Sequence, residues 1–250
     1  MRAKPVEYNM EKIDYVVLEI NAYKVIYKGY GNSEICGHYL IPQNKSDLPV
    51  ILVFHSYTGN KGPISLRVRW PLMGYAVFAV DVRGQSGESV DNRFYRGPSS
   101  LGFMTKGIFE KEDYYLGVYL DCVRALDFLA DGEEIDMKRV CVAGISQGGG
   151  LSLATAGLDN RPKLVVSEIS YLCHFRRTVE WAEPDNKGTY LEIASLIRQY
   201  PERESEMFKT LSYFDNLNLC GNIEARTIMT CALKDTICPR LLPYLLYIII

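Results

Sequence analysis

The stretch Val140-Cys141-Val142-Ala143-Gly144-Ile145-Ser146-Gln147-Gly148 decides the fold. Val140–Ala143 is an uninterrupted apolar run, and Gly148 to Leu158 is a run of small residues suited to a packed helix. G-x-S-x-G between a buried strand and a helix sets a serine on a sharp turn, where its hydroxyl can act as a nucleophile. The glycines provide room, because a serine on so tight a turn needs neighbours without side chains. The competing reading of the same residues is a structural turn.

Working outward, three β-rich runs come first, Tyr15–Ile20, Tyr23–Tyr27 and Glu34–Pro42, with Gly29, Gly31, Asn32 and Ser33 as turn signals between the last two. The pattern then changes. Val50–His55, Ala76–Asp81, Val140–Gly144, Leu164–Ile169 and Ile228–Leu233 are apolar, β-branched runs of the kind buried on both faces of a parallel sheet. Leu116, Tyr119, Leu120 and Val123 have the spacing of a one-faced helix. Antiparallel strands followed by βα units predict one α/β domain over residues 1–250, with a mostly parallel sheet. Arg176 to Asn222 is polar and aromatic and reads as a cap-like insertion.

Composition narrows the function classes. The chain has 250 residues and a net charge of 28 − 30 = −2, with no basic stripe. That argues against nucleic acid and against an anionic membrane as partners. Seven cysteines, an odd number with no C-x-x-C pair, predict buried reduced thiols in a cytoplasmic protein, with neither a disulfide framework nor a zinc site. The N-terminus has no apolar signal core, and Leu241–Ile250 is apolar but too short to span a bilayer.

A serine hydroxyl attacks only when a base removes its proton, and that base needs an orienting carboxylate. In this kind of fold the chain order is serine, acid, histidine. Asp235, just past the late apolar run, is the acid candidate, because a strand-end aspartate points into the cleft at the sheet's carboxyl edge. Its plain alternative is a cap on the next turn. The oxyanion hole should combine the N–H of Gln147 with one from the His55-Ser56-Tyr57-Thr58-Gly59 loop, and Tyr57 N–H is the second donor chosen. His55 itself reads as a turn-ordering residue. The remaining histidines, His38 and His174, both precede Asp235, so neither stands in the expected place of the base.

These residues resemble the acetyl xylan esterase / cephalosporin C deacetylase family of α/β-hydrolases. The family's R-G-Q element matches Arg83-Gly84-Gln85, and its G-x-S-Q-G element matches Gly144 to Gly148. Gly102–Ile108, Leu172–Arg177 and Asp235–Pro239 extend the likeness, which spans residues 20 to 239. The resemblance implies an α/β-hydrolase fold, Ser146 as nucleophile, Asp235 as acid, Tyr57 and Gln147 N–H as the oxyanion hole, and a structural role for Arg83, Gly84 and Gln85. It also implies a cytoplasmic serine esterase that removes acetyl groups from small xylo-oligosaccharides and cephalosporin C without metal or cofactor, assembled as a homo-oligomer, often a ring-shaped hexamer. The family's late H-E pair has no match. The fold is therefore expected to be C-terminally incomplete, an esterase of this family with very weak activity as written, or else a truncated inactive fragment of one. The alternatives are a non-catalytic paralogue that keeps its pocket for binding, or a related esterase or peptidase that uses His174 or a partner's histidine.

Overall fold

Val50, Ile51, Leu52, Val53 and Phe54 carry no polar side chain, as befits a strand covered on both faces. In the structure, a computed structural model describing residues 5–95, 102–110, 113–185, 189–235 and 237–238, they form β4 (Leu48–Phe54) at the heart of an eight-stranded sheet. The other strands are β1 (Tyr8–Ile13), β2 (Ile20–Lys28), β3 (Glu34–Pro42), β5 (Ala76–Val80), β6 (Ile135–Ile145), β7 (Leu164–Glu168) and β8 (Arg226–Thr230). Their order is β1-β2-β3-β5-β4-β6-β7-β8. The first three pair antiparallel with one another, β3 meets β5 antiparallel, and every later pairing is parallel. This is the α/β-hydrolase fold.

Two expected strands need correction. The run Tyr15–Ile20 is not a strand: β1 lies earlier, at Tyr8–Ile13, and residues 14–19 turn the chain into β2. The register Tyr8↔Tyr27 through Ile13↔Ala22 requires that reversal, and it leaves Val16 and Leu18 88% and 77% exposed. The sequence hid β1 because an edge strand open to solvent carries little apolar signal. The late strand is shifted likewise. β8 begins at Arg226 and ends at Thr230, so Cys231–Leu233 lie beyond it.

Helices cover one face thoroughly. These are α2 (Tyr114–Asp131), capped by the Asp113 carboxylate on Tyr115 N–H, and α3 (Gln147–Leu158), buried from Gln147 to Ala156. They enclose the larger core, with Phe54, Phe78, Val142, Leu126 and Leu151. The opposite face carries a smaller cluster, Ile20, Leu40, Ile51, Ile64 and Val77, under the short α1 (Arg69–Leu72). Four helices fill the expected insertion between β7 and β8: α4 (Phe175–Asp185), α5 (Leu191–Gln199), α6 (Glu204–Ser212) and α7 (Asn216–Leu219). All seven cysteines are free. Five of them are buried, Cys141 is half-buried and Cys231 is exposed. Among the described residues no helix is long and apolar enough to cross a membrane. The tail Leu241–Ile250 lies outside the described residues.

Register places the loops of interest side by side. Phe54 pairs with Gly144, Ile145 with Glu168, and Glu168 with Thr230. The loops after β4, β6 and β8 therefore leave from one carboxyl edge of the sheet, where open α/β sheets bind ligands.

Candidate active site

Ser146 stands between β6 and α3 with φ 57° and ψ −116°, a conformation that costs free energy in a residue with a Cβ. Three backbone hydrogen bonds hold it there. Ser146 N–H donates to Glu168 C=O at 2.9 Å, while its own carbonyl accepts from Gly150 and Tyr171 N–H, both at 3.0 Å. A Cβ on Gly144 would overlap the backbone of Gly148, and one on Gly148 would overlap the Phe54 carbonyl. Room is thus the reason for both glycines.

Gln147 is fully buried, and its side chain is tied into an amide pair. Gln85 Nε2 donates to Gln147 Oε1 at 2.9 Å, and Gln147 Nε2 donates back to Gln85 Oε1 at 3.2 Å. Tyr115 O–H donates to the same Gln147 oxygen at 3.0 Å, and Thr58 N–H donates to Gln85 Oε1 at 2.8 Å. Gln85 thereby connects the loop after β4 to the residue following Ser146. Arg83 is also fully buried and gives two short hydrogen bonds to Asp121 on α2, at 2.6 and 2.7 Å, with a third to Tyr30 C=O at 2.9 Å. Gly84 supplies the left-handed turn between them, at φ 64°. Arg83, Gly84 and Gln85 are therefore all occupied within the protein.

The N–H of Gln147 opens α3, where the first amides have no intrahelical acceptor. Tyr57 N–H forms no hydrogen bond among the described residues. Both donors are free to accept a developing negative charge. The Tyr57 phenol is pushed far above its usual pKa by burial first and by Glu192 second, so it stays a hydrogen-bond donor.

His55 has both ring nitrogens engaged. Val82 N–H donates to Nε2 at 2.8 Å, so Nδ1 carries the proton toward Ser56 C=O at 2.7 Å. Burial pushes its pKa down, and a neutral imidazole ordering the turn is the result. His174 lies apart, in a pocket of about 300 Å³ with Arg176, Lys209 and Asp215. His38 is in β3. Among the described residues no histidine is hydrogen-bonded to Ser146 or Asp235.

Asp235 follows β8 and folds its own turn, its Oδ1 accepting from Ile237 N–H at 2.9 Å and Cys238 N–H at 2.8 Å. This turn brings Cys238 Sγ to 3.9 Å from Ser146 Oγ. Cys238 was not foreseen at the site; the only sequence signal was its place three residues after Asp235. Burial pushes its thiol up to about 12, so it stays protonated at neutral pH and cannot take the Ser146 proton. The structure thus brings Gln147, the Tyr57 loop and the Asp235 turn to Ser146; of the three histidines only His55 borders this group, and both its ring nitrogens are already engaged.

One donor set could be read as a metal site. Cys36, Asp81 and Glu88 offer ligand atoms within 4.8 Å of one another. Lys61 Nζ already sits 2.7 Å from each carboxylate, Lys24 also pairs with Glu88, and burial raises the Cys36 thiol to about 11. An ammonium group fills the place a cation would take.

The family model described as acetyl xylan esterase (AXE1) matches residues 1–248. The chain is 42% identical to the solved acetyl xylan esterase from Paenibacillus sp. R4, with a TM-score of 0.94, covering 100% of this chain and 80% of that one. The solved acetyl xylan esterase 1 from Thermoanaerobacterium sp. is 31% identical, with the same TM-score and coverage. An acetyl esterase of Xylanibacter ruminicola is 26% identical over 259 residues, 98% of this chain, and the chain spans 56% of that relative's length.

Proposed function

The chain belongs to the acetyl xylan esterase family, and from that premise we propose that it is a serine carboxylic-ester hydrolase acting on acetyl groups of small acetylated saccharides. The observation that carries the reading is Ser146, held on its strained turn between two backbone donors that no protein acceptor occupies. In this reading Ser146 Oγ attacks the acetyl carbonyl. Gln147 and Tyr57 N–H take the oxyanion, and the sugar alcohol leaves with a proton. Water then releases acetate from the acyl-serine. Asp235 would orient the general base. Preorganised oxyanion donors are worth about 10²–10³ in turnover each.

Xylo-oligosaccharide acetates as substrate, acceptance of cephalosporin C, a cytoplasmic location and a homo-hexamer belong to the same proposal, and their support is the family likeness. The alternative is a protein that binds such compounds without hydrolysing them. It draws on one observation, that no described histidine is bonded to Ser146.

A fluorophosphonate probe mapped by mass spectrometry, with acetate release measured beside a Ser146→Ala control, tests the proposal. Labelling is expected at Ser146 alone. Turnover of the 250-residue chain is expected to be very low, since removing the base costs about 10⁶ in a serine hydrolase. Measured turnover should still favour p-nitrophenyl acetate over the octanoate. Labelling of another serine with Ser146 untouched would sink the assignment.

A further inference from the structure

Glu192 opens α5, 135 residues from Tyr57 in sequence, yet its carboxylate reaches the loop that carries Tyr57. The Tyr57 hydroxyl is 2.8 Å from both Glu192 oxygens and donates to the carboxylate. Met104 N–H donates to Glu192 Oε2 at 2.9 Å, and Phe103 N–H donates to the Tyr57 oxygen at 3.0 Å. Gly102, at φ 122°, leaves the space that this carboxylate fills, since a Cβ there would overlap it. Three segments separated by tens of residues therefore close on one acidic group.

The electrostatics make that group unusual. Among the described residues no lysine or arginine pairs with Glu192, and a half-buried carboxylate without a cation is costly. Its compensation comes from the Tyr57 and Met104 donors and from the N-terminus of its own helix. The titratable groups that face it are the phenols of Tyr57 and Tyr171, both held protonated by burial. Burial raises the carboxyl's own pKa, opposed by the Met104 and Tyr57 hydrogen bonds. A carboxylate kept under such conditions has a use for its two acceptor oxygens.

That use follows from what Tyr57 touches. Its ring packs against Phe103 and Tyr171, with centroids 5.9 and 6.1 Å away, and Tyr171 N–H is bonded to the Ser146 carbonyl. On the other side the next residue, Thr58, is held through its N–H by Gln85. The Tyr57 peptide is thus pinned from both directions, by Gln85 through the backbone and by Glu192 through the side chain.

We propose that Glu192 is a positioning residue for the oxyanion loop: by accepting the Tyr57 hydroxyl it sets where Tyr57 N–H faces Ser146, and so couples the helical insertion to the reacting centre. The inference rests on the esterase reading, and Glu192 itself touches no substrate.

Amide hydrogen exchange on the full chain tests the latch without relying on catalysis. In Glu192→Ala, peptides covering residues 57–59 and 102–104 should exchange about tenfold to a hundredfold faster, the loss expected when hydrogen bonds to a charged acceptor disappear. Peptides from β4 and β6 should not change. Glu192→Gln, which keeps one acceptor, should show a smaller increase, and adding Tyr57→Phe to Glu192→Ala should add nothing at residues 57–59, although Phe103 N–H then also loses its acceptor. The rate of Ser146 labelling should fall by at least about tenfold in Glu192→Ala with its saturation constant unchanged, as loss of alignment demands. Unchanged exchange in the two loops would overturn the latch. Faster exchange with an unaltered labelling rate would overturn its coupling to Ser146. If wild-type Ser146 never labels, the esterase reading has failed, and the exchange data alone decide the latch. Should Glu192→Ala not fold, Glu192→Gln and Tyr57→Phe make the same comparison.

Discussion

Ser146 follows β6 and Asp235 follows β8, two strands apart in the same sheet, and the two turns are held in different ways. The Ser146 turn sits on a strand with neighbours on both sides. It is clamped by Glu168, Gly150 and Tyr171, and braced from below by Gln85, Tyr115 and, through α2, the Arg83–Asp121 pair. The Asp235 turn leaves β8, the outermost strand on that side among the described residues, and is held by the N–H groups of Ile237 and Cys238. Outer residues of β8 are open, with Ile228 54% exposed. Strain like that at Ser146 persists only where the surroundings over-determine it, and here those surroundings lie within the sheet centre and two helices. The Ser146 turn is therefore expected to survive changes that disturb the Asp235 turn.

The largest expected effect falls on the braced half. Arg83→Ala leaves Asp121 ionised or protonated without its partner in a fully buried place, and breaking such a pair costs about 3–5 kcal/mol. Urea unfolding should register that loss. A change below about 1 kcal/mol would mean that the elbow does not depend on this brace.

A second test is the pH dependence that α2 brings to the same half. Asp113 caps α2 through Tyr115 N–H, and burial raises its pKa from 3.8 to about 7, with Arg93 opposing. An acid with a raised folded pKa holds its proton better when folded. Its burial therefore costs nothing below the unfolded pKa, and the cost grows as pH rises from about 4 to about 7 and then levels. Asp113→Asn, which keeps a cap acceptor, should remove that slope, on the order of 4 kcal/mol between the two limits. Denaturant midpoints measured at pH 4, 5.5 and 8 check this, and an unchanged slope would assign the dependence elsewhere.

The smallest effect belongs to the edge. Ile228→Thr changes an exposed position on β8 and should alter stability by less than about 0.5 kcal/mol. A loss above about 2 kcal/mol would show that the edge is covered in solution and that the contrast between the halves is false.

Much of this was legible in the sequence for local reasons. The Gly144–Gly148 turn declared itself because its steric demand falls on adjacent residues. The parallel strands did so because burial on both faces removes polar side chains from a continuous run. Asp235 could be placed at the sheet's carboxyl edge from the same logic, although its strand proved to start two residues earlier. The Tyr15–Ile20 error has the opposite cause. An apolar run was read as a strand where the chain had to reverse, and the polar Tyr8–Ile13 edge was passed over.

The sequence by itself determined the fold class, the serine turn and the loop carrying Tyr57, because each is written in contiguous residues. Only the tertiary structure decided the pairing of Gln85 with Gln147, of Arg83 with Asp121, of Glu192 with Tyr57, and the approach of Cys238 to Ser146. These partners are 38 to 135 residues apart. Whether two such side chains meet depends on the strand order that puts β5 between β3 and β4, and on which helix covers which strand. No local pattern carries that information, since a polar residue bound for a buried partner looks in sequence like one bound for water.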